Sequence, residues 1–223
     1  MHQPTLTPLD LGHVEEPDQA RRYRQELVSL LAREIGDPRT LAAMARVPRH
    51  VFVPTVPLRT AYLNQPAPIP HGQMISQPAM VAVMTEALLL IGDERVLEVG
   101  TGSGYQSAVL ALLAGQVYTV EVIADLEREA HERLLHLGYT NVHTLSKNGH
   151  EGWPEEAPFD RILITAAPPS VPPALFHQLK DGGILIAPVG ADPMTQRLLR
   201  YHKTATATEE EDLGAVRFVP MVR

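Results

Sequence analysis

The sequence predicts a doubly wound α/β fold, with a mostly parallel seven-stranded sheet, an antiparallel C-terminal hairpin and an N-terminal helical preface. Three observations carry this. Arg95 to Leu110 reads R-V-L-E-V-G-T-G-S-G-Y-Q-S-A-V-L, a short apolar strand, a glycine turn and the start of a helix. Downstream, apolar runs alternate with helical stretches, which brings strands side by side in parallel with helices packed on the sheet. The last two apolar runs have no helix between them, so they pair as an antiparallel hairpin at one edge.

The chain has 223 residues, enough for one α/β domain with a core of its own, and 44% of them are hydrophobic. A net charge of −7, from 26 acidic and 19 basic residues, argues against a nucleic-acid binder working through a broad basic face. An exposed peptide stays open as a partner. Cysteine is absent, which rules out disulfides, cysteine zinc sites and a thiol nucleophile. The N-terminus, M-H-Q-P-T-L-T-P-L-D, lacks a basic segment followed by an apolar one. The longest apolar stretch, Ala79 to Ile91, is interrupted by Thr85 and Glu86 and is too short to span a bilayer. The expectation is a soluble cytoplasmic protein with no membrane partner; a monomer suffices for such a fold.

Residues 1–16 are proline-dotted and acidic and read as a loose arm. From Asp18, apolar residues Tyr23, Leu27, Leu30, Leu31 and Ile35 recur at helical steps, and Gly36 supplies a stop. A second helix fits Pro38 to Ala45, with Asp37 as cap and Pro38 at its first position. Residues 47–78 carry Pro48, Pro54, Pro57, Pro66, Pro68, Pro70 and Pro78, too many for a helix or a central strand. Val51, Phe52, Val53, Tyr62, Ile69 and Ile75 argue that this long loop is packed, and a packed loop of that length is usually functional. Pro78 opens a helix to about Leu90. Thus residues 17–92 form the preface and functional loop, and 93–223 the sheet.

In the sheet, strands are expected at Val96–Val99, Gln116–Glu121, Val142–Ser146, Asp160–Thr165 and Ile184–Val189. Helices are expected at Tyr105–Leu113, Asp125–Leu137 and Pro172–Leu179, the last closed by Asp181-Gly182-Gly183. Met194–Tyr201 and Leu213–Val219 form the final hairpin around an acidic loop, Glu209–Asp212.

Ligands of such sheets sit at the carboxyl ends of the strands, where Glu98, Glu121, Asn148 and Thr165-Ala166 all fall. The spacing Glu98-x-Gly100-x-Gly102-x-Gly104 differs from the dinucleotide pattern G-x-G-x-x-G. A pyrophosphate would be repelled by Glu98. Glu121, 17 residues beyond Gly104, stands where an acidic residue takes ribose hydroxyls, or is a solvated strand-end carboxylate. Lys147-Asn148-Gly149 is a turn where a base edge could be read. No H-E-x-x-H or G-x-S-x-G is present. No metal site is expected.

The glycine variant resembles the first motif of S-adenosylmethionine-dependent methyltransferases. More restricted motifs make the chain similar to the protein-L-isoaspartate O-methyltransferase family from about Leu41 onward. They are V-P-R-H-V-F-V-P (47–54), A-Y (61–62), G-Q-M-I-S-Q-P (72–78), V-L-E-V-G-T-G-S-G-Y (96–105), E-G-W-P (151–154), F-D-R-I-L-I-T-A-A (159–167), P-V-G (188–190) and R-F-V-P (217–220). The resemblance implies a Rossmann-like methyltransferase fold and S-adenosyl-L-methionine as cofactor. It implies methylation of the α-carboxylate of L-isoaspartyl residues in damaged proteins and peptides, a repair reaction. On it, Ser76 matches an active-site serine, and Gln73, Ile75, Val219 and Pro220 would hold substrate. Glu98, Gly100, Thr101, Gly102, Ser103 and Gly104 form the cofactor corner, with Glu98 meeting the cationic methionine end directly or through water. Glu121, Val122, Asn148, Gly149 and Ala166 complete that site. Asn64, Pro70, Met74 and Asn148 depart from the family pattern, which carries aspartate, glycine, threonine and aspartate there. Asn64, Pro70 and Met74 keep open a non-catalytic relative that senses the cofactor, and a methyltransferase for another carboxylate is a further option. Ser76 could also serve as cap of the helix that Pro78 opens.

Overall fold

The computed structural model describes residues 6–7 and 16–223. The arm expected over 1–16 therefore lies mostly outside the described residues. Within it, Leu6 packs on the core. Thr7 donates from its backbone N–H to Leu112 O at 2.8 Å and from its hydroxyl to Ala114 O at 3.0 Å. Glu16 pairs with Arg24.

Helix α1 (Asp18–Leu31) is amphipathic and buries Ala20, Leu27 and Leu31; it stops before Ile35, and turns lead to Gly36. Helix α2 (Pro38–Arg46) begins where expected, because the Asp37 carboxylate accepts from Arg39 N and Thr40 N. Within 47–78 the chain forms a 3₁₀ turn (Arg49–Phe52), the short helix α3 (Leu58–Ala61) and a two-stranded hairpin, β1 (Ala67–Pro68) with β2 (Met74–Ile75). None of these short pieces was legible behind the prolines. Phe52, Val53, Tyr62, Ile69 and Ile75 are buried, as expected of a packed loop. Helix α4 (Pro78–Ala87) ends three residues early, where Leu89 takes a positive φ of 52°.

The sheet comprises β3 (Arg95–Val99), β4 (Gln116–Glu121), β5 (Val142–Ser146), β6 (Phe159–Ile164), β7 (Leu179–Val189), β8 (Arg197–Lys203) and β9 (Thr208–Ala215). Helices α5 (Tyr105–Ala111), α6 (Ala124–His136) and α7 (Pro173–Gln178) connect them. The order is β5-β4-β3-β6-β7-β8-β9, with the first five strands parallel and β8 and β9 antiparallel. Alternate residues of each strand feed two cores. Val96, Val117 and Ile186 join the face covered by α1, α2, α4 and α5, while Leu97, Val99, Ile162 and Leu185 join the face covered by α7.

Two expectations near the C-terminus are corrected. Asp181-Gly182-Gly183 does not close a helix but lies inside β7, where the register against β6 shifts between Phe159 and Arg161. The acidic run Glu209–Asp212 is not a loop. It forms the middle of β9, and the hairpin turns instead at residues 204–207. The carboxylates are held by basic residues opposite them: Arg197 Nε lies 2.8 Å from Asp212, and Arg200 pairs with Glu211. An exposed edge strand tolerates such charge, which also blocks edge-to-edge pairing.

Candidate active site

The strand order reverses direction between β3 and β6, since β3 leads to β4 on one side and β6 to β7 on the other. Such a switch point opens a crevice at the carboxyl ends of the strands. Here it is closed by backbone bonds that shape the glycine turn. Gly100 N donates to Val120 O at 2.8 Å, and Thr165 N donates to Val99 O at 2.9 Å. Gly100 has φ +101°, and a Cβ there would stand 2.3 Å from Thr165 Oγ1. No side chain fits that position. The Thr165 hydroxyl is turned onto Gly100 O at 2.7 Å.

A cleft open to solvent on one side lies in this crevice. Its floor is Val99, Gly100 and Gly102 from the β3 end, Val120 to Ile123 from the β4 end, and Thr165 and Ala166 after β6. Gly149 closes one end. The β1–β2 hairpin covers it with Ile69, Gln73 and Met74, and the C-terminal strap adds Val219 to Val222. Its lining, an apolar wall with a few convergent polar groups, is the make-up of a small-molecule site.

Glu121 is 8% exposed and lines the cleft. Its Oε2 accepts from Gly102 N at 2.9 Å and its Oε1 from Ile123 N at 3.1 Å. Each carboxylate oxygen keeps lone-pair capacity for a hydroxyl. Glu98 behaves differently. It is 0% exposed, its Oε2 accepts from the Ser107 hydroxyl, and among the described residues its Oε1 has no hydrogen-bond partner. Burial pushes its pKa up to about 8, against the opposing pull of its hydrogen bonds. The carboxyl faces helix α5 and stands outside the residues that line the cleft.

Of the residues singled out in the sequence, Gly100, Gly102, Glu121, Val122, Gly149, Ala166, Gln73, Val219 and Pro220 line the cleft. Thr101 and Ser103 are buried in the turn. Thr101 shares a 2.7 Å hydrogen bond with Thr119, and Ser103 O accepts from Arg133 at 2.8 Å. Gly104 is the left-handed residue that starts α5. Asn148 stands beside the cleft rather than in its lining; its Oδ1 caps a 3₁₀ turn by accepting from His150 N at 3.0 Å. Ile75 is buried beneath the hairpin. Ser76 is half-buried just after β2, and among the described residues its hydroxyl makes no hydrogen bond. Thr165, expected at a strand end, lines the cleft, and Ile69, Val99, Val120, Ile123, Met221 and Val222 line it without having been candidates.

The substrate-loop departures have structural counterparts. Pro70 opens the hairpin turn, where His71 and Gly72 both take positive φ (59° and 68°) and Gln73 N returns to Pro70 O at 3.3 Å. That dihedral pair is the turn that suits a tight hairpin. Asn64 Oδ1 accepts from Ala79 N at 2.9 Å, so it caps α4 from a distance. Met74 stands 43% exposed at the cleft rim. The strap is fixed by Gln196, 2% exposed, which accepts from Phe218 N at 2.6 Å and donates to Phe218 O at 3.2 Å. It is also stitched to the β6 end, with Ala167 N to Val219 O at 2.8 Å and Met221 N to Ala167 O at 2.9 Å.

Comparison with known proteins is consistent with this geometry. Residues 22–223 match the family Protein-L-isoaspartate(D-aspartate) O-methyltransferase. A protein-L-isoaspartate O-methyltransferase of Picosynechococcus sp. is 50% identical over 206 residues, covering 92% of each chain. One from Dictyoglomus thermophilum is 48% identical over 214 residues, covering 96% of each. A solved protein-L-isoaspartate O-methyltransferase structure superposes with a TM-score of 0.83 at 27% identity, over 90% of this chain and 66% of that longer one. A Plasmodium falciparum protein assigned to the same activity, in complex with S-adenosyl-L-homocysteine, superposes with a TM-score of 0.77 at 25% identity, over 89% of this chain and 98% of that one.

Proposed function

The chain belongs to the protein-L-isoaspartate(D-aspartate) O-methyltransferase family, and from that premise we propose which of its residues carry the reaction. The protein transfers a methyl group from S-adenosylmethionine to the α-carboxylate of L-isoaspartyl residues. The observation that supports the site assignment is the convergence of three strand ends, a paired carboxylate and the R-F-V-P strap on one cleft.

The cleft fits a nucleoside. Glu121 offers acceptors for two ribose hydroxyls. Val122 and Ile123 offer an apolar wall for a base, while Gly149 and its neighbour Asn148 stand at its edge. Gly100 and Gly102 let a ligand approach the backbone closely. When bound, S-adenosylmethionine supplies a methyl on a sulfonium and leaves as a neutral thioether.

What the chain itself must do follows from the nucleophile. A carboxylate has a reference pKa of about 3.9, so it is ionised at neutral pH and needs no general base. The remaining demand is desolvation and alignment, which is worth about 7–11 kcal/mol when fully met. The Ser76 hydroxyl, unspent on the protein, orients the carboxylate. Gln73, Ile75, Val219 and Pro220 hold the peptide around it. The hairpin and strap exclude water from above. Damaged cytoplasmic proteins are the proposed targets; among the described residues no helix is long and apolar enough to cross a membrane.

The test uses labelled methyl donor with an isoaspartyl peptide and its aspartyl twin. Ester on the first and none on the second is expected. Cofactor binding with no ester on either would favour a sensor, and ester on some other carboxylate alone would favour a different substrate.

A further inference from the structure

Arg49 is the only lysine or arginine in the buried class among the described residues, 1% exposed. Its electrostatic neighbours are Tyr105 and Tyr62 rather than any carboxylate. Instead it reaches three separate segments of the chain. Nη2 donates to Ser76 O at 2.8 Å, Nε donates to Ala61 O at 3.0 Å, and the guanidinium lies 4.8 Å from the centre of the Tyr105 ring. Tyr105 is the first residue of α5, directly after the glycine turn.

A buried cation without a counter-ion is a poor device for stability. Apolar residues of similar volume are often neutral or stabilising in such places. The hydrogen bonds suggest what it does instead. Ser76 lies between β2 and α4, and its carbonyl is held by Arg49. Downstream the chain is tethered separately, by Gln77 Nε2 to Asn64 O at 3.0 Å and Ala79 N to Asn64 Oδ1 at 2.9 Å. Releasing Ser76 O would therefore leave the start of α4 in place and free the residue that carries the hydroxyl.

We propose that Arg49 is a positioning residue for methyl transfer, holding the Ser76 peptide against the start of the cofactor helix so that the Ser76 hydroxyl meets the substrate carboxylate. This rests on the reading of Ser76 given above. It also links the two halves of the site, since one side chain touches the substrate loop and the helix that follows the glycine turn.

The test compares wild type, R49M, R49K, S76A and R49M/S76A in the full chain. Turnover and KM are measured with an isoaspartyl peptide, cofactor affinity by calorimetry, and folding by melting temperature. R49M should lower kcat roughly ten- to hundredfold, the scale of a lost alignment, with cofactor Kd changed less than about threefold. R49K should recover part of kcat, because an ammonium can reach one of the two carbonyls. The double variant should be no slower than the slower single, because Arg49 acts through Ser76. R49M with wild-type kcat and KM overturns the proposal, and so do losses that multiply in the double variant. If R49M fails to fold, R49K with wild-type kcat overturns it and R49K with reduced kcat at unchanged cofactor Kd supports it. Full turnover in S76A would instead remove the serine reading itself, and this proposal with it, whereas impaired S76A beside unimpaired R49M removes only the role of Arg49.

Discussion

Gly102 N donates to Glu121 Oε2 at 2.9 Å, so the carboxylate expected to take a ribose also braces the glycine turn. The two tasks are separable. Glu121→Ala removes both, and should weaken S-adenosylmethionine binding by about 1–3 kcal/mol, the scale of hydrogen bonds to a charged group. Glu121→Gln keeps one acceptor but turns an NH₂ toward either Gly102 N or Ile123 N, both donors. It should bind cofactor no better than the alanine variant. Titration calorimetry on the three proteins decides this; equal affinity throughout would remove Glu121 from ligand binding.

Gly100→Ala places a Cβ 2.3 Å from Thr165 Oγ1 at a backbone φ of +101°. The hydroxyl must leave Gly100 O, and the dihedral remains strained, at a cost of order 1–3 kcal/mol. The variant should melt lower and bind cofactor more weakly. Gly100→Ala combined with Thr165→Ala should relieve the clash but not the dihedral, so melting temperature should recover only in part. Complete recovery would show that sterics alone make glycine necessary here.

How much of this was readable from the sequence varies with what decides each feature. Gln116–Glu121 and Val142–Ser146 coincide with β4 and β5, because an apolar run between turn residues is a local signal. The strand over Glu209–Asp212 was hidden, because its ladder with β8, where Arg197 and Arg200 meet the carboxylates, is a long-range pairing that no local window contains. The hairpin over 67–75 was hidden by its prolines and by a histidine at positive φ. Glu98 was placed correctly on its strand, but its side-chain direction was not drawn from the alternation. It shares a face with Val96, toward α5 and Ser107, while Val99 shares the face of Leu97 and reaches the cleft.

The raised pKa of Glu98 makes a pH prediction. Burial pushes it up to about 8 from the ordinary 4.5, so between these the folded protein holds a proton that the unfolded chain has lost. Stability from this group is fully present below about pH 4.5 and falls as pH rises toward about 8, by up to about 1.4 kcal/mol per pH unit. Glu98→Gln cannot ionise, so its melting temperature minus that of the wild type should rise across this window and level off above it. The slope is the readout, since an amide NH₂ left without an acceptor can lower the absolute value. A flat difference would mean that Glu98 is ionised in the fold.

Ser76 and Asn64 separate catalysis from capping. Helix α4 receives no side-chain cap from Gln77, and the hydrogen bond to Ala79 N comes from Asn64. Asn64→Ala should therefore destabilise the protein by about 0.5–2 kcal/mol, the usual loss of a cap. Asn64→Asp keeps the acceptor and adds a negative charge at the positive end of the helix, so it should be at least as stable as wild type, with a gain of about 0.3–1 kcal/mol. Ser76→Ala should leave melting temperature almost unchanged, because the hydroxyl is not spent within the protein, and lower turnover roughly ten- to hundredfold. Ser76→Thr keeps the oxygen but adds a methyl, so its turnover should lie between the two. Melting temperature and turnover on the same four variants give the pattern directly: stability should follow residue 64 and rate should follow residue 76. A fall in melting temperature for Ser76→Ala with full turnover would reassign the serine to the helix and leave the cleft without its orienting hydroxyl.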